Sequence, residues 1–229
     1  MRVLKNIMQK YIDAHCHASH TPEVGAIVNA ARISDWATVL ALVRGGAYGA
    51  IGVHPWYISE LPHDWDVYLY KILTDNPGLL VGEIGLDKHK PAMETQISAF
   101  IRQLTMAHEL DRGVCIHCVG VWDKMANILK INRNNLPPFI LAHGYNGPVN
   151  MIQKFATEYN MYFSYGGRNL RNPSCILATP HNRILAETDS ENPSAVIGIV
   201  NKIADILGVD PDKMADIIYD NTNRMLKHG

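Results

Sequence analysis

Residues 79–118 read LLVGEIGLDKHKPAMETQISAFIRQLTMAHELDRGVCIHC. The run LLVGEI (79–84) is a short apolar segment of strand type. Apolar positions then recur at helical spacing over about 91–111, with Pro91 early and Gly113 just past the end. GVCIHC (113–118) is a second strand-like run. Strands with few polar interruptions, joined by a helix, predict parallel pairing beneath a helical cover.

The same rhythm extends in both directions. Strand-like runs are YIDA (11–14), GAIVNA (25–30), YGAIGV (48–53), PFILAH (138–143), MYFSY (161–165) and RILAET (183–188). Helical periodicity fills about 34–44, 121–131, 148–159, 171–178, 194–207 and 211–226, with Pro211 opening the last helix. Eight strands fit a closed (β/α)8 barrel with a C-terminal helix; a doubly wound open sheet is the alternative. Between the first two strands lies only HCHASHTPEV (15–24), too short for a normal crossover helix. Either the first connection is abbreviated or the second strand is misassigned. No linker divides the chain, so residues 1–229 are expected to form one domain.

Composition bounds the function. The chain has 229 residues, slightly short for a barrel of about 250. Apolar residues make up 47% and charged residues 19%, as in a compact protein. Formal net charge is −1, so no overall positive field steers nucleic acid, although a nucleic-acid substrate is not excluded. Four cysteines (16, 115, 118, 175) form no dense disulfide framework. No apolar leader and no membrane-length apolar run occur, so the expectation is a cytoplasmic protein without a membrane partner. No dinucleotide fingerprint, phosphate loop or GxSxG elbow is found.

Metal-capable side chains fall at strand ends. His15 and His17 follow the first strand; in extended backbone, residues two apart point the same way. Glu83, His117, His143 and Asp189 end the fourth, fifth, sixth and eighth strands. In a barrel these ends share one rim, and the rim carries the active site. Taken singly, a histidine there is satisfied by a backbone carbonyl, and Asp189 is a helix cap. Four histidines and two acids gathered together point to divalent metal. The nitrogen and oxygen types favour Zn, Mn or a similar ion. Six ligands suit two ions bridged by one carboxylate, with Glu83 as the natural bridge. His54, after the third strand, faces the same rim as a substrate contact or a structural residue beside Pro55. Asp87 is placed to orient a ligand or a water, and Asp13 to line the barrel behind the ligands. Cys16 should face away from the site, and Cys115 and Cys118 should lie on opposite faces of their strand. His20, His63, His89, His108, His181 and His228 lack a strand-end position.

YIDAHCH (11–17), GVHPW (52–56), VGEIGLD (81–87), VCIHC (114–118), LAHGYNG (141–147), YFSYGG (162–167), LAETDS (185–190) and the ending NTNRML (221–226) together resemble the TatD family of metal-dependent hydrolases, within the amidohydrolase-like barrels. The resemblance implies a TIM-like barrel and a deoxyribonuclease, often with 3′→5′ exonuclease action. It implies metal ligation by His15, His17, Glu83, His117, His143 and Asp189, with His54 matching the histidine of the family's GxHP element. Val119 stands where the family often has a basic residue. SENPSA after Asp189, HGYNG after the sixth strand and the short loop after His17 also depart from the pattern.

The expected activity is therefore phosphodiester hydrolysis by metal-activated water. Two divalent ions (Zn, Mn or Mg) serve as cofactors, and DNA or nucleotide ends serve as substrate. Asp189, Glu83 and His54 are the candidate catalytic residues. Asp189 would accept the water's proton. His54 and Arg168 would contact phosphate, and Trp56 and Tyr57 would stack a base or pack under a loop. No obligate protein partner is expected. The rival readings are hydrolysis of a small amide, ester or lactone, and a barrel that keeps its metal for structure alone.

Overall fold

The computed structural model describes residues 10–17 and 24–227. Eight strands form one parallel sheet in chain order. They are β1 (Ile12–Cys16), β2 (Gly25–Asn29), β3 (Tyr48–Ile51), β4 (Leu80–Asp87), β5 (Val114–Val119), β6 (Ile140–Ala142), β7 (Met161–Tyr165) and β8 (Ile184–Ala186). The last strand returns to the first: the Asp189 N–H donates to the His15 carbonyl at 3.0 Å, and the His17 N–H to the Ser190 carbonyl at 3.0 Å. The architecture is a (β/α)8 barrel of the TIM type, not an open sheet.

Helices α1 (Trp36–Arg44), α2 (Trp65–Asp75), α3 (Met93–Glu109), α4 (Trp122–Ile131), α5 (Ile152–Glu158), α6 (Ser174–Ala178) and α7 (Val196–Leu207) follow their strands. α8 (Pro211–Leu226) ends the described chain; Asp210 caps it by accepting from the Lys213 N–H at 3.1 Å. Among the described residues no helix is long and apolar enough to cross a membrane.

β1 and β2 pair in parallel, so the second strand was correctly placed and the first connection is abbreviated. Most of that connection, residues 18–23 with His20, lies outside the described residues, as do His228 and residues 1–9. Sequence periodicity missed α2. Its sequence, WDVYLYKILTD, buries only Leu69 and Leu73 and leaves Val67 and Tyr68 exposed, so its apolar stripe is diluted.

Two apolar layers hold the barrel. Ile116, Cys118, Ile140, Phe163 and Ile184 pack outward against the helices. Ile27, Leu80, Cys115, Phe139, Leu141, Tyr162 and Leu185 fill the interior, which Met225 of α8 also enters. Within α8, the Asn221 side-chain amide donates to the carbonyls of His181 (2.7 Å) and Ile184 (2.9 Å), tying the last helix to β8. Phe139 lies against Gly113, where an added Cβ would come within 2.0 Å of the ring. Phe139 is fully buried, so Phe139→Ala should cost about 3–5 kcal/mol through lost burial and an unfilled cavity. Urea unfolding checks this; a loss below about 1 kcal/mol would mean that the interior collapses around the gap.

Candidate metal centre

Glu83 is the hub. It is buried, and its two oxygens face two different groups. Oε2 lies 3.5 Å from His15 Nε2 and 3.4 Å from His17 Nε2. Oε1 lies 2.8 Å from His143 Nε2, 3.0 Å from His117 Nδ1 and 3.1 Å from His54 Nε2. Asp189 joins the first group, with Oδ1 at 3.7 Å from His15 Nε2 and 3.5 Å from His17 Nε2. Its φ is 50°, a left-handed conformation that Asp adopts more readily than most residues. All six expected ligands thus meet at one rim. The reason is topological: parallel strands end together, whatever their separation in sequence.

The far side of His15, His17 and His117 is also engaged. His17 Nδ1 donates to the Asn29 carbonyl at 3.0 Å, because a carbonyl can only accept. His117 Nε2 faces Asp87 Oδ2 at 3.3 Å. His15 Nδ1 meets the Cys115 thiol at 3.2 Å. His143 Nδ1 is buried without a hydrogen-bond partner among the described residues; Glu187 Oε1 is 3.7 Å away. Glu187 is itself held by the Ser164 hydroxyl. Partners of this kind fix tautomers and aim the opposite nitrogen at a metal.

The nitrogens left facing inward crowd one another. His15 and His17 Nε2 are 3.2 Å apart, and His117 Nδ1 and His143 Nε2 are also 3.2 Å apart. At such distances, beside two carboxylates, each pair shares a proton or a cation. Three groups bring ligand atoms within 4.8 Å of one another: His15–His17–Glu83, His15–His143–Asp189 and His54–Glu83–His117. The donor set fits a borderline divalent metal. His63, His89, His108 and His181 lie outside these groups.

His54 differs from the others. Its Nδ1 accepts the Trp56 N–H at 3.1 Å, so the proton of the neutral ring sits on Nε2 and is donated to Glu83. In that state His54 is a hydrogen-bond donor and offers no electron pair to the centre.

The electrostatics carry the same message. Burial pushes the Glu83 carboxyl upward, yet His143, His54 and His15 outweigh it and hold Glu83 well below the usual range. Burial also raises Asp189, but the His17 hydrogen bond and the charges of His15 and His143 bring it down to about 2. Burial disfavours charge on His17, but Asp189 and Glu83 override it and raise His17 to about 10. His143 is likewise raised against burial by Glu83 and Glu187, whereas burial dominates at His15 and His54 and lowers both. Without a metal, protons on His17 and His143 supply the positive charge that the carboxylates demand.

Other expectations are met around this hub. Asp13 is buried and accepts from the backbone N–H groups of His15 (3.1 Å) and Thr188 (3.0 Å); burial pushes it up to about 8 despite those bonds. Cys16 packs away from the site, and Cys115 and Cys118 fall in different apolar layers. Trp56 is 45% exposed, donates to Asp87 Oδ2 at 2.6 Å and carries the Lys90 ammonium 4.3 Å from its ring centre. The Tyr57 hydroxyl accepts from Arg32. Sequence reasoning missed Glu187 and the Cys115 contact. Glu187 was detectable as a second acid directly after the eighth strand. The Cys115 contact was not, because it joins residues 100 apart.

The profile described as "TatD related DNase" matches residues 12–227. Cut9-interacting protein scn1 of Schizosaccharomyces pombe is 25% identical, over 87% of this chain and 92% of its own. The metal-dependent hydrolase YjjV of Escherichia coli, described as uncharacterized, is 29% identical over 79% of each chain. Its crystal structure superposes with a TM-score of 0.85 over 94% of this chain and 97% of that one, at 24% identity, a likeness of fold. The 3′-5′ ssDNA/RNA exonuclease TatD of a Rahnella species is 26% identical, over 78% of this chain and 76% of its own. Matched over nearly all of its described length, and sharing the barrel, this chain belongs to the TatD-related DNase family.

Proposed function

We propose that this protein is a metal-dependent hydrolase that cleaves phosphodiester bonds at nucleic-acid ends, with 3′→5′ exodeoxyribonuclease-like action. The observation that carries the reading is the two-faced Glu83: one oxygen faces His15 and His17, which Asp189 also faces, and the other faces His54, His117 and His143. Two divalent ions, Zn, Mn or Mg, would be held by His15, His17, Glu83, His117, His143 and Asp189. When bound, such ions neutralise phosphate charge and acidify a water molecule. The protein's own groups do the rest. Asp189, held ionised, orients the water and accepts its proton as the water oxygen attacks phosphorus. The bond from phosphorus to the leaving ribose oxygen then breaks, its electron pair stays on that oxygen, and the oxygen takes up a proton from solvent. His54 Nε2–H, anchored through the Trp56 N–H, donates to Glu83 or to a phosphate oxygen. Asp87 and Glu187 keep His117 and His143 aimed. The same proposal takes residues 1–229 as one cytoplasmic barrel domain that needs no protein partner.

One observation favours a second reading. Val119 lines the cavity beside the centre without charge, which suits a neutral amide, ester or lactone. Parallel assays with single-stranded oligonucleotides and a panel of acyl substrates decide between the two. Release of nucleotides that chelation abolishes and added Mn or Zn restores is the expected result. Chelation should also lower the melting temperature, because a ligand bound at about 100 times its Kd contributes about 2.7 kcal/mol. A fully metallated protein that leaves oligonucleotides intact would falsify the nuclease assignment.

A further inference from the structure

A cavity of about 550 Å3 starts at His117, His143 and Asp189 and runs under the loops that follow β6 and β7. That volume suits one small ligand and not a duplex. Its walls are rich in donors. Arg168 and Arg171 line it from the loop after β7; both are exposed, and neither pairs with a carboxylate among the described residues. Asn146 and Asn172 line it too. The side-chain oxygen of each is already taken, by Trp122 Nε1 (3.1 Å) and by the Ser174 hydroxyl (2.9 Å), so their amide N–H groups remain to be used. The cavity therefore combines acidic Glu187 and Asp189 with guanidinium and amide donors in one lining. Val119 lines the same space from β5, so the positive charge absent there is supplied by the arginines of the β7 loop.

We propose that this cavity holds the terminal nucleotide of the substrate and that Arg168 and Arg171 are the specificity residues that grip its phosphate oxygens. This rests on the phosphodiester reading and deepens it. Guanidinium groups match phosphate geometry with paired donors, and the two asparagine amides can donate to a base or sugar. A pocket that takes one unit selects chain ends, which agrees with a protein of net charge −1 that has no overall positive field to hold a long strand.

The test uses the metal-loaded full chain. Calorimetry measures deoxyadenosine 5′-monophosphate binding, and steady-state assays follow a single-stranded oligonucleotide. The double variant Arg168→Ala/Arg171→Ala should weaken nucleotide binding about tenfold or more and raise the oligonucleotide KM comparably, with kcat changed less than about threefold. The slope of log(kcat/KM) against log salt should become shallower by about 1 to 2. The double lysine variant should recover part of the binding, since it restores charge without the fork. Binding and KM within about twofold of wild type in the alanine variant would overturn the assignment while an active wild type leaves the nuclease reading standing. No detectable nucleotide binding by the wild type would overturn it as well. Arginine-dependent nucleotide binding by a wild type inert toward oligonucleotides would instead support the cavity and overturn the nuclease reading.

Discussion

Glu83→Gln should lower kcat/KM on single-stranded oligonucleotides by about 10³-fold or more and reduce the metal content of the purified protein. The glutamine side chain keeps the size of glutamate but loses its charge and replaces one oxygen with an NH2 group. Either orientation sets that NH2 against an imidazole pair: His15 and His17 on one side, or His117 and His143 on the other. The electron pair that serves one of the two groups is lost in both cases. The effect should exceed that of Asp87→Asn, because Asp87 reaches the centre through His117 and Trp56 and not directly; outer partners of this kind contribute about 10–100-fold to metal affinity or activity. Elemental analysis beside the nucleotide-release assay checks the expectation. Full metal content with more than about a tenth of wild-type activity would remove Glu83 from the bridging role.

Gly85→Ala should be the most damaging small substitution. Gly85 has a φ of +147° and pairs with His117 across β4 and β5. An added Cβ would stand 1.8 Å from the His117 carbonyl oxygen, a backbone atom that cannot swing aside. Strain at that φ and overpacking each cost about 1–3 kcal/mol, so a loss of about 3 kcal/mol or more is expected. The alternative to unfolding is that β5 moves, and His117 moves with it. Urea unfolding and metal content should therefore fall together. A variant with unchanged stability and full metal would show that the two strands can separate at no cost.

Much of this was legible without coordinates. The eight strands were readable because parallel strands covered by helices on the outside and packed within are apolar throughout, and such runs stand out between helical segments. The six metal-capable residues that meet at the rim were readable because metal chemistry restricts residue types and because strand ends are recognisable. α2 escaped because a helix lying on the surface needs only two core residues, Leu69 and Leu73, to dock. Glu187 escaped because ETDSENP reads as the start of a helix with Asp189 as its natural cap.

Some features no inspection of the chain could supply. The division of labour between the two Glu83 oxygens depends on where four other strands end. The distinction between His54 and the other histidines depends on a backbone N–H two residues away that turns back onto its ring. The pairing of His15 with Cys115, and of His117 with Asp87, joins strands whose separation is set by the shear of the barrel. By itself, then, the sequence determined the strand and helix alternation that fits a barrel and the six metal-capable positions, because each follows from local periodicity and residue chemistry; the family came from the resemblance of its motifs. The tertiary structure alone decided which nitrogen of each histidine faces the centre, and that the arginines of the β7 loop share a cavity with Val119. Those are questions of direction and distance between distant segments, and only closure of the sheet answers them.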